Sequence, residues 1–147
     1  MDNHTYNLDL KWSEGRIGEF TSSEVPSLTV ATPPQFPKGV PDIWSPEHLL
    51  LGAVSSCLMT TFLSIAENSN LQFTSFDCKA EGKVEKIEGK FMLSEITLKP
   101  EVVIKQEKDK ERTFRIVEKA ENACLISNSV KSKINLETEV KVENTGE

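Results

Sequence analysis

Only three cysteines and two histidines occur among the 147 residues. Cys57, Cys78 and Cys124 are too few and too far apart for the disulfide framework of a small secreted domain, and their odd number leaves at least one unpaired. A structural zinc site needs Cys or His pairs at short spacing, and these cysteines with His4 and His48 supply none, so no metal and no cofactor is expected. Positive charge is scarce too: 17 Lys and Arg stand against 23 Asp and Glu, a net charge of −6, with the cations spread along the chain. That distribution lacks the basic footprint of a nucleic-acid binder. The most apolar stretch, Leu49–Ala66, is broken by Ser55, Ser56, Thr60, Thr61 and Ser64 and falls short of a membrane span. Asp2, Asn3 and His4 stand where a secretory leader would place positive charge. The expectation is a cytoplasmic protein that engages neither membrane nor nucleic acid.

What is present suffices for a single domain over residues 1–147. The hydrophobic fraction of 37% and charged fraction of 27% are those of an ordinary soluble protein. Tyr6, Leu8, Leu10 and Trp12 alternate with Asn7, Asp9 and Lys11, the period of a half-buried strand. Ser13, Glu14 and Gly15 supply a turn, and Arg16–Ser22 return as a second strand, so the turn lies immediately before Arg16. Leu28–Ala31 is a short third strand. The segment Thr32–Pro46 carries five prolines and one glycine, which precludes regular structure and predicts an extended, mobile loop.

Ser45, Pro46 and Glu47 make a helix start, with a serine cap, proline at the first helical position and an acid in the first turn. The helix is expected to run from Pro46 to about Asn68. Its apolar residues cover an arc wider than the stripe of a surface helix, which marks it as a buried central helix. Small residues Gly52, Ala53, Ser55 and Ser56 permit another backbone to approach near Cys57. Phe76–Val84 and Met92–Ile104 keep a two-residue period around a turn at Glu88 and Gly89, an antiparallel hairpin. The charged run Gln106–Arg112 leads into a second helix with Phe114, Ile116, Val117 and Ala120, ending between Cys124 and Val130. Ile134–Val142 closes the chain as one alternating strand before a frayed end. The succession is that of an α+β fold, with antiparallel sheets around two helices.

Two segments stand out for their chemistry: SPEHLLLGAVSSCLMTTF, Ser45–Phe62, and AENACLISNSVK, Ala120–Lys131. Together with GRIGEF, Gly15–Phe20, and the order of elements, they resemble the OsmC/Ohr family of osmotically inducible and organic hydroperoxide resistance proteins, over nearly the whole chain. The resemblance implies an intertwined homodimer with sites at its interface, and a thiol peroxidase in which Cys57 attacks the peroxide and Cys124 resolves the product. It further assigns Arg16 and Glu47 to the same site. The implied substrate is an organic hydroperoxide, and the implied reductant a dithiol such as a dihydrolipoyl protein, or a small thiol.

Elementary chemistry supports these roles. A free thiol titrates near ~8.5, so at neutral pH only a few per cent is the nucleophilic thiolate, and burial within a helix lowers that fraction further. A nearby cation is therefore expected, which Arg16 supplies and Glu47 orients by bidentate hydrogen bonds. On one unbroken helix Glu47 and Cys57 stand about 15 Å apart at ~1.5 Å per residue. Either the helix breaks near Gly52, or two copies cross and Glu47 of one approaches Cys57 of the other. Leu50, Val54, Phe62, Trp44 and the loop around Phe36 are candidates for an apolar pocket. Cys78, in phase with Phe76 and Ala80, reads as core; His4 and His48 as solvated or capping; Arg112 and Arg115 as part of a solvated helix. The rival reading is a catalytically silent stress or small-molecule-binding protein that keeps the fold and uses both cysteines for packing.

Overall fold

The alternating N-terminal segment forms the expected hairpin. Strands β1 (Asp9–Glu14) and β2 (Ile17–Thr21) pair antiparallel across a tight turn at Gly15 and Arg16, and β3 (Leu28–Ala31) adds antiparallel to β2. Gly15 takes the left-handed conformation at φ 52°, which glycine adopts at no steric cost. The computed structural model describes residues 3–143 and divides into two units, Met1–Leu49 and Leu50–Glu147; Asp2 and the end expected to fray lie outside the described residues.

The expectation of a half-buried first strand is corrected. Tyr6, Leu8, Leu10 and Trp12 are 85, 58, 63 and 73% exposed, and β1 is the edge of its three-stranded sheet. Alternation marks a strand with one apolar face, but it does not say whether the cover for that face comes from the same chain.

The proline-rich segment is irregular, as expected, yet it is closely tied by hydrogen bonds. Phe36 N donates to Pro33 O at 3.1 Å, Gly39 N to Phe36 O at 3.0 Å and Val40 N to Thr32 O at 2.8 Å. A β-carbon on Gly39 would stand 2.0 Å from Pro33 O, so only glycine allows these backbones to approach.

In the second unit β4 (Phe73–Ile87) and β5 (Lys90–Ile104) form a long antiparallel hairpin, turning at Glu88 and Gly89. The last expected strand is two: β6 (Lys133–Leu136) and β7 (Glu139–Val142), both parallel to β5, so this sheet is mixed where antiparallel sheets were expected. β6 pairs with Glu95–Leu98 and β7 with Glu101–Ile104, which leaves Pro100 opposite the break. Proline has no N–H to carry the ladder through that point.

Helix α1 (Pro46–Asn68) is continuous, which excludes the break near Gly52. It is long and apolar enough to cross a membrane by length and composition, but Val54, Leu58, Phe62 and Ala66 are wholly buried and make it a core helix. They pack with Ile96, Leu98, Val102 and Ile104 of β5 and with Ile116, Val117 and Ala120 of α2 (Lys110–Asn122). Phe62 lies 5.3 Å from Phe73 and 4.9 Å from Phe76, centroid to centroid. Arg112 is not solvated as expected. Its Nη1 donates to Ser69 O at 2.7 Å just past the end of α1, and its Nη2 pairs with Asp109 at 3.2 Å.

Candidate functional site

The two cysteines of the motifs meet in the second unit. Cys57 is half-buried on α1 and Cys124 fully buried beyond the end of α2, with their thiols near enough to shift one another's titration. The chain after α2 makes this possible by coiling on without extending: Cys124 N donates to Glu121 O at 3.1 Å, and Asn128 N to Cys124 O at 3.0 Å. A short 3₁₀ turn at Ser127–Ser129 follows.

Burial pushes the Cys57 thiol up, but the Cys124 thiol, the N–H of Ile126, the Thr61 hydroxyl and the N–H of Leu125 outweigh it and hold Cys57 below the usual thiol range. Cys124 moves the other way. Burial raises it and the neighbouring Cys57 sulfur raises it again, against smaller opposing pulls from the Ser127 hydroxyl and N–H. The pair is thus polarised: Cys57 is the readier thiolate and Cys124 the proton-bearing donor. A cation was expected to activate Cys57, whereas within this unit neutral donors favour its thiolate. Thr61, one turn along α1 from Cys57, was legible from helical spacing; the N–H groups of Leu125 and Ile126 depend on how the chain turns after Cys124, which no residue pattern announced.

Arg16 and Glu47 lie in the first unit. Arg16 is exposed on the hairpin turn and lines a cavity of about 510 Å³ with Leu10, Trp12, Val30, Ala31 and Pro46. Glu47, in the first turn of α1, has a buried Oε1 with no hydrogen-bond partner. No ion pair joins the two among the described residues. Because α1 is unbroken, Glu47 and Cys57 of one chain stand about 15 Å apart along its axis.

Val54 and Phe62 do not line a pocket as expected, since both are wholly buried in the core. Trp44 is 52% exposed and borders a different, open cavity of about 490 Å³ with Pro34, Pro41, Ile43 and His48. Ser45 caps α1, its Oγ accepting from the backbone N–H of His48 at 3.1 Å, and the His48 ring supports that cap with Nδ1 2.6 Å from the same oxygen. Cys78 is half-buried against the core. No group of three or more His, Cys, Asp or Glu is placed to hold a metal ion among the described residues.

An α+β unit whose helix-borne cysteine stands near a second cysteine from a distant motif defines a class, and sequence comparison names it. The OsmC-like protein family matches residues 39–139, and the chain belongs to that family. It is 27% identical over 152 residues to the uncharacterized protein YmaD of Bacillus subtilis, across the full length of both. Among solved structures it is similar to an OsmC-like protein of unknown function from Vibrio cholerae, with TM-score 0.83 and 23% identity over 94% of this chain and 99% of that one. It is also similar to an organic hydroperoxide resistance protein from Elizabethkingia anophelis, with TM-score 0.74 and 21% identity over 97% of this chain and 100% of that one.

Proposed function

We propose that this chain is a cytoplasmic thiol peroxidase that reduces organic hydroperoxides. The observation that carries the reading is the pairing of Cys57, held below the ordinary thiol range, with Cys124 near it. The Cys57 thiolate attacks one peroxide oxygen and the O–O bond breaks, leaving an alcohol and a Cys57 sulfenic acid. Cys124 then displaces the sulfenic hydroxyl as water and closes the Cys57–Cys124 disulfide, which a dithiol such as a dihydrolipoyl protein reopens by exchange. Free thiols suit a reducing compartment.

Arg16 and Glu47 complete the site in this proposal, from a second copy of the chain. The support is the unpartnered buried oxygen of Glu47, the continuity of α1, and the membership in the OsmC-like family. The apolar residues around Arg16, Leu10 and Trp12 among them, suit a peroxide with a hydrocarbon substituent.

One equivalent of cumene hydroperoxide, followed by thiol counting and intact mass, tests the reading. The expected result is loss of two thiols as a Cys57–Cys124 disulfide in the wild type, no peroxide consumption by Cys57→Ser, and a single turnover by Cys124→Ser that leaves a trappable sulfenic acid. Retention of all thiols in the wild type would instead make this a silent protein that keeps the fold.

A further inference from the structure

Two buried polar atoms close to Cys124 have no hydrogen-bond partner: Glu121 Oε2, in the last turn of α2, and Ser127 Oγ, at the start of the 3₁₀ turn. Burying a carboxylate oxygen or a hydroxyl without a partner costs stability, so such a pair calls for a reason. The two atoms are neighbours. Ser127 Oγ stands outside ideal hydrogen-bond geometry with Glu121, yet near enough to pull its carboxyl down against the larger upward push of burial. The same hydroxyl stands near the Cys124 sulfur, short of a formed hydrogen bond, and the Ser127 N–H is near it too. Ser127 therefore sits between a thiol that must lose a proton and a carboxylate that holds one more readily than a solvated carboxylate does.

We infer that Glu121 is the proton acceptor of the resolving step, taking the Cys124 thiol proton through the Ser127 hydroxyl as Cys124 attacks Cys57. The inference rests on the thiol-peroxidase reading and adds to it the groups that activate the second cysteine. The balance is complete. The Cys124 proton passes to Ser127 Oγ while the Ser127 proton passes to Glu121. The Cys124 sulfur lone pair forms the S–S bond, oxidising that sulfur, and the S–O bond pair leaves with hydroxide, reducing the Cys57 sulfur. Hydroxide takes up a proton and departs as water, and Glu121 returns its own to solvent. An exit exists, since Glu121 also borders an open recess of about 410 Å³ with Phe114, Glu118, Ile134, Leu136 and Thr138. A base is needed here because Cys124 is wholly buried and, among the described residues, no cationic side chain acts on it. The titratable groups facing Glu121 among the described residues are Glu118 on its own helix and Cys78 on β4.

The resolving step can be isolated from peroxide chemistry with dithiodipyridine, in a full-length Cys78→Ala background so that only Cys57 and Cys124 react. Cys57 releases a first thiopyridone and forms a mixed disulfide; attack by Cys124 then releases the second. The expected result is an unchanged first phase and a second phase slowed about tenfold or more at neutral pH in Glu121→Gln, within the usual reach of general-base assistance. Ser127→Ala should match it and Glu121→Asp should recover in part. In the wild type the second-phase rate should rise and level off as Glu121 ionises; in Glu121→Gln that inflection should vanish, which a purely structural role would not cause. Unchanged second-phase rates and pH profile in both Glu121→Gln and Ser127→Ala overturn the relay. A parallel arm with cumene hydroperoxide separates the two ideas: a relay seen with dithiodipyridine but no disulfide with peroxide overturns the peroxidase reading and leaves the proton path standing.

Discussion

At the scale of single residues the polarisation of Cys57 against Cys124 has a direct chemical readout. Iodoacetamide should label Cys57 first, with a pH midpoint below that of an ordinary thiol, because its hydrogen-bond donors favour the thiolate more than burial opposes it. Cys124→Ala deletes one donor and leaves Thr61, Leu125 and Ile126, so the midpoint should move up without losing the whole effect; each unit corresponds to ~1.4 kcal/mol of preference for the charged form. An unmoved midpoint would mean that Cys124 is a bystander. Glu121 gives the opposite sign. Its carboxyl is raised in the folded state, so the folded protein holds that proton more tightly than the unfolded chain does, and stability falls as pH rises through the carboxylate range. Glu121→Gln should accordingly melt higher than the wild type at neutral pH, with the gap closing in mild acid. The sequence disclosed the two cysteines because their flanking residues resemble a known pair of motifs. It could not disclose Glu121 or Ser127, since a glutamate near a helix end and a serine in a turn are commonplace until the turn brings the serine near both that carboxyl and the Cys124 sulfur.

Among the elements, α1 was legible from end to end, because Ser45, Pro46 and the wide apolar arc are signals local to the chain. The expected single C-terminal strand became β6 and β7, and the cause lies in another element: Pro100 of β5 offers no N–H opposite Thr138. Period-two alternation continues across the break, so nothing in Ile134–Val142 alone reveals it. The helix entry differs from expectation for a similar reason, since the charge run hides an Arg112 that binds the end of α1 through Ser69 O. Two stability measurements follow. Phe62→Ala, which removes a wholly buried ring packed on Phe73 and Phe76, should cost about 3–5 kcal/mol in urea or thermal unfolding. Arg112→Ala deletes the donor to Ser69 O and the partner of Asp109, and should cost about 1.5–3 kcal/mol, the range of hydrogen bonds involving a charged group. A loss under half a kilocalorie for Arg112→Ala would show that water replaces the guanidinium without penalty.

For the whole molecule the exposed apolar surface calls for a partner. Met59 and Leu63, one turn apart on α1, are 37 and 40% exposed, and the stripe through Ser56, Thr60 and Ser64 is open as well. In the first unit Tyr6, Leu8, Leu10 and Trp12 show their apolar face. Apolar surface of this kind in one small chain is characteristic of an association face. A second copy is the occupant proposed above, so the protein should sediment as a dimer at micromolar concentration, and Leu63→Glu should shift it toward monomer. The sharper experiment asks whether the copies share a site. If Glu47 of one chain serves Cys57 of the other, then neither Glu47→Ala nor Cys57→Ser is active alone. A heterodimer of the two, however, contains one intact pairing, Glu47 from the serine variant with Cys57 from the alanine variant, and one that lacks both groups. Random reassociation of an equal mixture should then restore about a quarter of wild-type peroxide consumption per chain, since half the dimers are mixed and each mixed dimer carries one complete site. Sites built within single chains give no recovery at any mixing ratio, because every chain in the mixture lacks one of the two residues. A mixture that stays inactive after dissociation and reassociation, with mixed dimers verified by mass, would therefore return Glu47 to a purely local role at the start of α1 and end the composite-site proposal.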